Sequence, residues 1–453
     1  MPVERESTSN LPSGKTPSRV ALMARALRHR NFQLFFGGQL ISLIGTWMDN
    51  IAEAWLVYRL TGSSLHLGAL GFCSQIPVFL LAPLGGHVAD KYNRHRIVIA
   101  TQTASMLLAG TLAGLTLSGV MQAQRIYLLY LLAVSLGIVN AFDIPARQAF
   151  IVEMVTREDL MNAIALNSSM FNGARIVGPA IAGVLVASIG EGWCFFANAV
   201  SYIAVITGLL LMHVRPRVVE PSGTAVENVL EGFRFVRQTP PIRALLLLIG
   251  LVSLVAMPYS VLMPIFADRI LHGGAQGLGL LMGASGVGAL CGALTLAARS
   301  GVFGLGRWVM FAAAGLGGSL IAFGFSHSFW FSEVLLLPVG FSMMVQMAST
   351  NTLIQSMVPD RLRGRVMSVY SMMFMGMAPI GSLLAGWIAD RTSAPTAVIL
   401  GGIVAVFGAV AFGVKLPELR VAGRQLIIAQ GLAGGNPPQQ ISSRVVSQEE
   451  EEA

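Results

Sequence analysis

Apolar runs of twenty or more residues recur along this chain, separated by short polar links. A helix of about 20 apolar residues crosses the hydrocarbon core of a bilayer. Twelve such runs can be drawn, at 33–58, 66–89, 97–119, 126–146, 163–189, 192–213, 242–267, 277–298, 308–326, 330–352, 366–389 and 396–414. The longest internal polar stretch, 213–243, divides them six and six. Within it, residues 226–237 have the pattern of an amphipathic helix suited to lie on a membrane surface. The expected organisation is a tail 1–30, a bundle 31–213, a linker 214–241, a bundle 242–414 and a tail 415–453. The fold class is all-α integral membrane, with twelve transmembrane helices in two pseudo-symmetric six-helix bundles.

A repeat supports the division. Sliding residues 148–183 by 203 positions onto 351–386 needs no gap and gives ten identities in 36, among them Met154/Met357, Phe171/Phe374, Gly173/Gly376, Gly178/Gly381 and Gly183/Gly386. In each copy a span ends, a charged link follows and a Gly-rich span begins. The copies fall on the fourth–fifth and tenth–eleventh runs, so the halves run the same way through the membrane. Parallel repeats of this kind describe a transporter that rocks about a central site.

Composition agrees. The chain is 54% hydrophobic and 11% charged, against roughly 25% charged in soluble domains, and its mean hydropathy is +0.68. A net charge of +8 would suit nucleic acid, but position excludes that reading. Of the 30 Lys and Arg, all but Arg59, Arg125, Arg175, Arg269 and Arg391 lie in segments on one side of the predicted topology. Positive charge marks the cytoplasmic side, so both termini are expected there. Cys73, Cys194 and Cys291 sit in apolar runs at no metal-ligand spacing. No phosphate-binding Gly-Lys-Ser/Thr motif or intramembrane His pair occurs, so neither an enzyme nor any cofactor or metal is expected.

The chemistry lies in charges stranded among apolar residues. Asp49 and Glu53 stand in the first run four residues apart, on one helix face. An ionisable group inside a bilayer faces a bundle interior or a wet cavity and marks a proton or substrate path. Asp49 and Glu53 are therefore candidate proton-coupling residues, with Trp47 and Asn50 beside them as candidate substrate contacts. Glu53 has a simpler alternative, a pair with Arg59. Arg175, near the midplane of the fifth run, is the expected partner of Asp49. Asp143 and Arg147 close the fourth run four residues apart, and Arg361, Arg363 and Arg365 hold the matching place in the second half. The methionines crowded into 343–377, and Gln75, Asn140, Gln346 and Asn351, are further candidates for a cavity wall.

The loop GHVADKYNRHR at 86–96 resembles the signature of the major facilitator superfamily. It supplies Gly86, expected to let two helices approach, and Asp90, Lys91, Arg94 and Arg96, expected with Asp143 and Arg147 to latch the inner gate. Asn93 and His95 depart from that signature. The segments NFQLFF (31–36), GTWM (45–48), WLVYRLTGSS (55–64) and DIPARQ (143–148) are similar to the bacterial enterobactin-exporter and macrolide-efflux group. Where that group usually has amides, this chain has Asp49 and Glu53. ARIVGPAIAG at 174–183 is similar to the superfamily's antiporter motif, which implies that Gly178, Pro179 and Gly183 form a packing hinge. The resemblance implies export driven by a proton gradient; the chain is expected to be a carrier of an amphipathic small molecule in the bacterial inner membrane, working as a monomer on protons (or sodium). A proton-symport importer and a non-transporting membrane sensor are the alternatives.

Overall fold

The computed structural model describes residues 25–213, 225–299, 301–302 and 304–432. Among these residues every long element is a helix and no strand occurs. In chain order they are α1 Arg30–Thr61, α2 Ser64–Lys91, α3 Arg94–Leu117, α4 Ile126–Met154, α5 Leu160–Ile189, α6 Glu191–Leu210, α7 Ala225–Gln238, α8 Pro240–Val255, α9 Gly274–Ala297, α10 Leu305–Phe325, α11 Phe329–Met357, α12 Asp360–Arg391 and α13 Ala394–Leu432. Irregular turns carry the α8 span on to Ile270.

Among the described residues eleven helices are long and apolar enough to cross a membrane, and α7 is not among them. The helix α1 has the length, at 32 residues, but Gln33, Gln39, Asp49, Asn50, Glu53 and Arg59 dilute its hydropathy. It packs against α5 and α6 inside the first bundle. Local chemistry sets the helix ends. Gly62 takes φ +62° and returns its N–H to the Tyr58 carbonyl, closing α1. The Ser63 hydroxyl accepts from the Leu65 N–H (3.2 Å) at the start of α2, and Asn93 accepts from the Arg96 N–H (3.2 Å) at the start of α3.

One end differs from expectation. The last span continues past Val414 through Pro417 to Leu432, because Leu416, Leu419, Leu426 and Ile427 keep packing on the second bundle's core. The N-terminal segment begins with one tight turn, Arg25–Arg28. Its Ala26 N–H donates to Asn162 Oδ1 (2.8 Å), while Arg25 (3.0 Å) and His29 (2.8 Å) both reach Asp159. The His29 hydrogen bond, with Arg25 and Arg28 nearby, holds the Asp159 carboxyl below its usual range. The expected tail 1–24, the linker stretch 214–224 and the acidic run 449–452 lie outside the described residues. In the rest of the linker, α7 leans on α12, where Glu231 pairs with Arg361 (3.3 Å) and Arg365.

The first bundle packs α1 on α5 and α6, α2 on α4, and α3 on α4 and α6; the second packs α9 on α11, α10 on α11 and α13, and α8 on α12 and α13. Only α2 with α12 and α5 with α9 join the bundles extensively. The repeat is visible in this packing: α4 ends at Met154 and α11 at Met357. Gly178 lies so close to α1 that a Cβ would come 2.5 Å from Trp47 Cβ, and its counterpart Gly381 meets Leu254 and Pro258, at the end of α8, in the same way. Gly183 lies against Gly279 of α9, and its counterpart Gly386 against Gly68 of α2. One glycine pair per half thus packs a bundle, and the next seals the bundles together.

The molecule has a basic face, carrying Arg94, Arg96, Arg147 and Arg361–Arg365, and a far face with the turns at 61–64, 189–191 and 391–394. Exposed Tyr127, Trp193, Trp330 and Trp387 ring the far end, as aromatic residues do at a membrane interface.

Candidate functional site

Asp49 and Glu53 turn inward, not toward the seam between bundles. Both are buried, at 5% and 9% exposure, on the face of α1 that meets α6. Asn198 of α6 is hydrogen-bonding neighbour to Asp49, and Ser201 sits with it against Gly45, one turn earlier. Asp49 Oδ1 has no hydrogen-bond partner among the described residues. Neither carboxyl makes an ion pair there, so the two acids have mainly each other. Arg59 is not the partner of Glu53; it pairs with Glu191 at the start of α6, Nε to Oε1 at 2.6 Å.

Arg175 is not the partner of Asp49 either. The reason is the azimuth of α1: Gly45 and Asp49 meet α6, and Glu53 follows on the same face one turn on, whereas Trp47 and the backbone of Ile44 and Met48 lie against Gly178 of α5. Arg175 lies on the seam instead. Its guanidinium sits 5.8 Å from the Trp47 ring centroid and 4.0 Å from Met343 Sδ of α11, and its backbone lies against Gly286 of α9. Tyr259, from the turns after α8, is its other polar neighbour, hydrogen-bonded to Ser285 Oγ of α9 at 2.7 Å. One turn toward the basic face, Phe171 packs edge-on to Trp47 at 5.6 Å and remains 45% exposed. Asn50 is exposed on α1, away from both groups.

The basic-face residues form clusters, each confined to one half. Asp143 is buried and accepts from Thr101 (2.7 Å) and Gln102 (3.0 Å) as well as pairing with Arg147 (3.1 Å). Arg94 joins Asp90 (3.3 Å) to Glu153 (3.0 Å) and also donates to the Ala89 carbonyl. Lys91 lies over the Tyr92 ring, and Arg96 is exposed. Asp360 pairs with Arg363 at 2.5 Å. Among the described residues no ion pair on this face joins the two bundles. The departures Asn93 and His95 gain a reason: Asn93 caps α3, and His95 stacks on Phe150 and reaches the Leu209 carbonyl at 2.8 Å. The close approach expected at Gly86 belongs to Gly85, whose Cβ would run into the Ala141 carbonyl, whereas one on Gly86 meets nothing.

The far face holds polar contacts that sequence reasoning missed. Tyr58 Oη donates to Asp268 Oδ2 at 2.6 Å, and Ser63 Oγ to Asp390 Oδ1 at 3.0 Å. Arg269 lies 5.5 Å from the Tyr58 ring centroid and folds over Gly62. Each contact joins the two bundles, beside the glycine pairs. The far half of the seam is sealed.

The model of a family described as transmembrane secretion effector matches residues 23–427. The staphyloferrin A transporter of Staphylococcus aureus is 25% identical over 359 residues, 79% of this chain and 89% of that protein. The enterobactin exporter EntS of Escherichia coli O1:K1 is 25% identical over 392 residues, 86% of this chain and 91% of the exporter. Among solved structures, the nucleoside transporter NupG superposes with TM-score 0.70 at 14% identity, covering 86% of this chain and 99% of NupG. A bacterial homologue of the iron transporter ferroportin, in an inward-facing state, gives 0.61 at 19% identity, over 84% and 99%. These superpositions speak for the fold alone.

Proposed function

The chain belongs to the transmembrane secretion effector family, and from that premise we propose that it is a proton-driven exporter of a siderophore-like amphipathic small molecule. It is a multi-pass secondary transporter of the major facilitator superfamily, with the resemblance to siderophore carriers extending over most of its length. In this reading it works as a monomer in a bacterial inner membrane, with its basic face in the cytoplasm as positive-inside placement favours. The arrangement described is then the state that receives cargo from within. What supports this is that the bundles touch along the far seam, while Asp90, Arg94, Asp143 and Arg147 pair only within the first bundle.

The observation that carries the coupling is the Asp49–Glu53 pair, two buried carboxyls one turn apart that make no ion pair among the described residues. Two like charges so placed cannot both stay ionised cheaply, so a proton shared between them is the natural occupant. The helix that bears them also bears Trp47, which covers Arg175 and packs on Gly178. Proton binding on the α6 side of α1 therefore bears on the helix that lines the seam. When the far face opens, the pair takes a proton from outside and cargo departs; when the basic face opens, the proton leaves inward. Alternating exposure of this kind needs the bundles to move as bodies, and the close packing of Gly178 and Gly183 supports a hinge on α5 at Gly178, Pro179 and Gly183.

Everted membrane vesicles with an acid interior test this, with enterobactin and staphyloferrin A as first cargoes. The wild-type protein is expected to concentrate cargo inside. The variant Asp49→Asn with Glu53→Gln is expected to equilibrate cargo without concentrating it. Concentration by the double variant at the wild-type level would refute proton coupling through this pair. Accumulation driven by a sodium gradient instead would change the ion, and cargo movement in the opposite sense would make the protein an importer.

A further inference from the structure

Arg175 leaves a charge to be accounted for. Guanidinium does not give up its proton in proteins, and a cation deep in a membrane protein must find a counter-charge or water. Here the acids of α1 face away, and among the described residues Arg175 makes no ion pair. Its neighbours are a ring face, a thioether and a phenol: Trp47, Met343 and Tyr259. They come from α1, α11 and the turns after α8, and with α5 itself they surround the point where the two bundles meet. No charged partner is supplied from any of these elements, and the repeat counterpart of Arg175 is Ala378, so the cation is unbalanced by symmetry as well.

The walls around it are apolar on the side toward the basic face. Phe171 stands exposed one turn away, edge-on to Trp47, and Met343 lies opposite. A guanidinium facing flat aromatic and thioether walls at the seam is a receptor for an anionic group joined to a flat apolar body. We propose that the cargo is an anion whose carboxylate or ionised hydroxyl docks on Arg175 while its ring lies against Trp47 and Phe171. This rests on the transporter reading above and names the charge class that reading leaves open. It also explains why the site is on the seam: both bundles must enclose the anion before the far face opens.

Three probes that share one ring and differ in charge test it: 2-naphthoate, 2-naphthamide and 2-naphthylmethylammonium. Binding is measured by equilibrium dialysis against purified full-length protein in detergent, with no gradient present. Charge-assisted hydrogen bonds stabilise by about 1.5–3 kcal/mol, so 2-naphthoate is expected to bind at least about tenfold tighter than the amide. The cation is expected to bind weakest. Arg175→Gln should erase the preference for the anion, and Arg175→Lys should keep part of it. Arg175→Lys also reports if the glutamine variant unfolds, since a lysine retains the charge. Because no gradient is present, the outcome does not depend on proton coupling, which separates this proposal from that reading. Equal binding of naphthoate and naphthamide would overturn it, as would a preference that survives Arg175→Gln. Chloride that occupies the site without any discrimination among the three probes would reduce Arg175 to an inorganic anion site and overturn it too.

Discussion

Gly85 and Gly86 are neighbours in α2, and a methyl group would meet two different fates there. On Gly85 it collides with the backbone of α4 at Ala141; on Gly86 it enters open space. Overpacking a tight helix contact costs about 1–3 kcal/mol. Gly85→Ala is therefore expected to lower the thermal unfolding temperature in detergent by several degrees, while Gly86→Ala leaves it within error. The reverse order would contradict the packing described. The same limit on sequence reading recurs at every charged position. Spacing places Asp49 and Glu53 on one face of α1, and burial agrees. What spacing cannot supply is the rotation of that helix against its neighbours, and so the expected partner Arg175 lies on the other side. Arg175 itself was legible as a stranded cation, yet its surroundings come from three elements distant in sequence. Asn93 and His95, which read as departures from a signature, are a helix cap and a bridge to α6.

At the scale of elements, the spans were legible because hydropathy and length are local properties. The extent of α13 was not, since it depends on apolar residues beyond Pro417 finding the second bundle. The far-face contacts were invisible for a related reason. Tyr58 and Asp268 are 210 positions apart, and Ser63 and Asp390 are 327 apart, at helix ends where polar residues read as ordinary caps. These bonds join the bundles at the far seam, so in the proposed alternating carrier weakening them should shift the balance toward an open far side. A hydrogen bond to a carboxylate stabilises by about 1.5–3 kcal/mol, enough to move a two-state population about tenfold or more. With Val261→Cys as a reporter against Gly71 of α2, in a background with the native cysteines replaced by serine, Tyr58→Phe is expected to raise maleimide labelling at the far seam. Asp268→Asn should act likewise, and the two together should exceed neither by much, because they remove one bond. Additive effects of the pair would mean that the bond is not the gate.

For the whole molecule, the repeat carries more than topology. Gly178 and Gly381 hold α5 and α12 to their own bundles, and Gly183 and Gly386 press the same helices across the seam onto Gly279 and Gly68. A single pattern thus packs each bundle and the contact between them. Leucine at both Gly183 and Gly386 would wedge the far seam. Spin labels at residues 63 and 390 are expected to move apart by several ångströms in that variant, and an unchanged distance distribution would argue against a rocking joint there. The joint, the basic-face clusters and the buried carboxyls are the parts on which the proposed proton-coupled carrier rests. The most direct measurement of that tie is the proton counter-flux itself, read with a pH dye inside everted vesicles as cargo is added from outside. The account predicts that cargo entry drains the acid interior in the wild type and that Asp49→Asn with Glu53→Gln abolishes the drain. Cargo uptake with no proton release in the wild type, or release undiminished in the double variant, would contradict it.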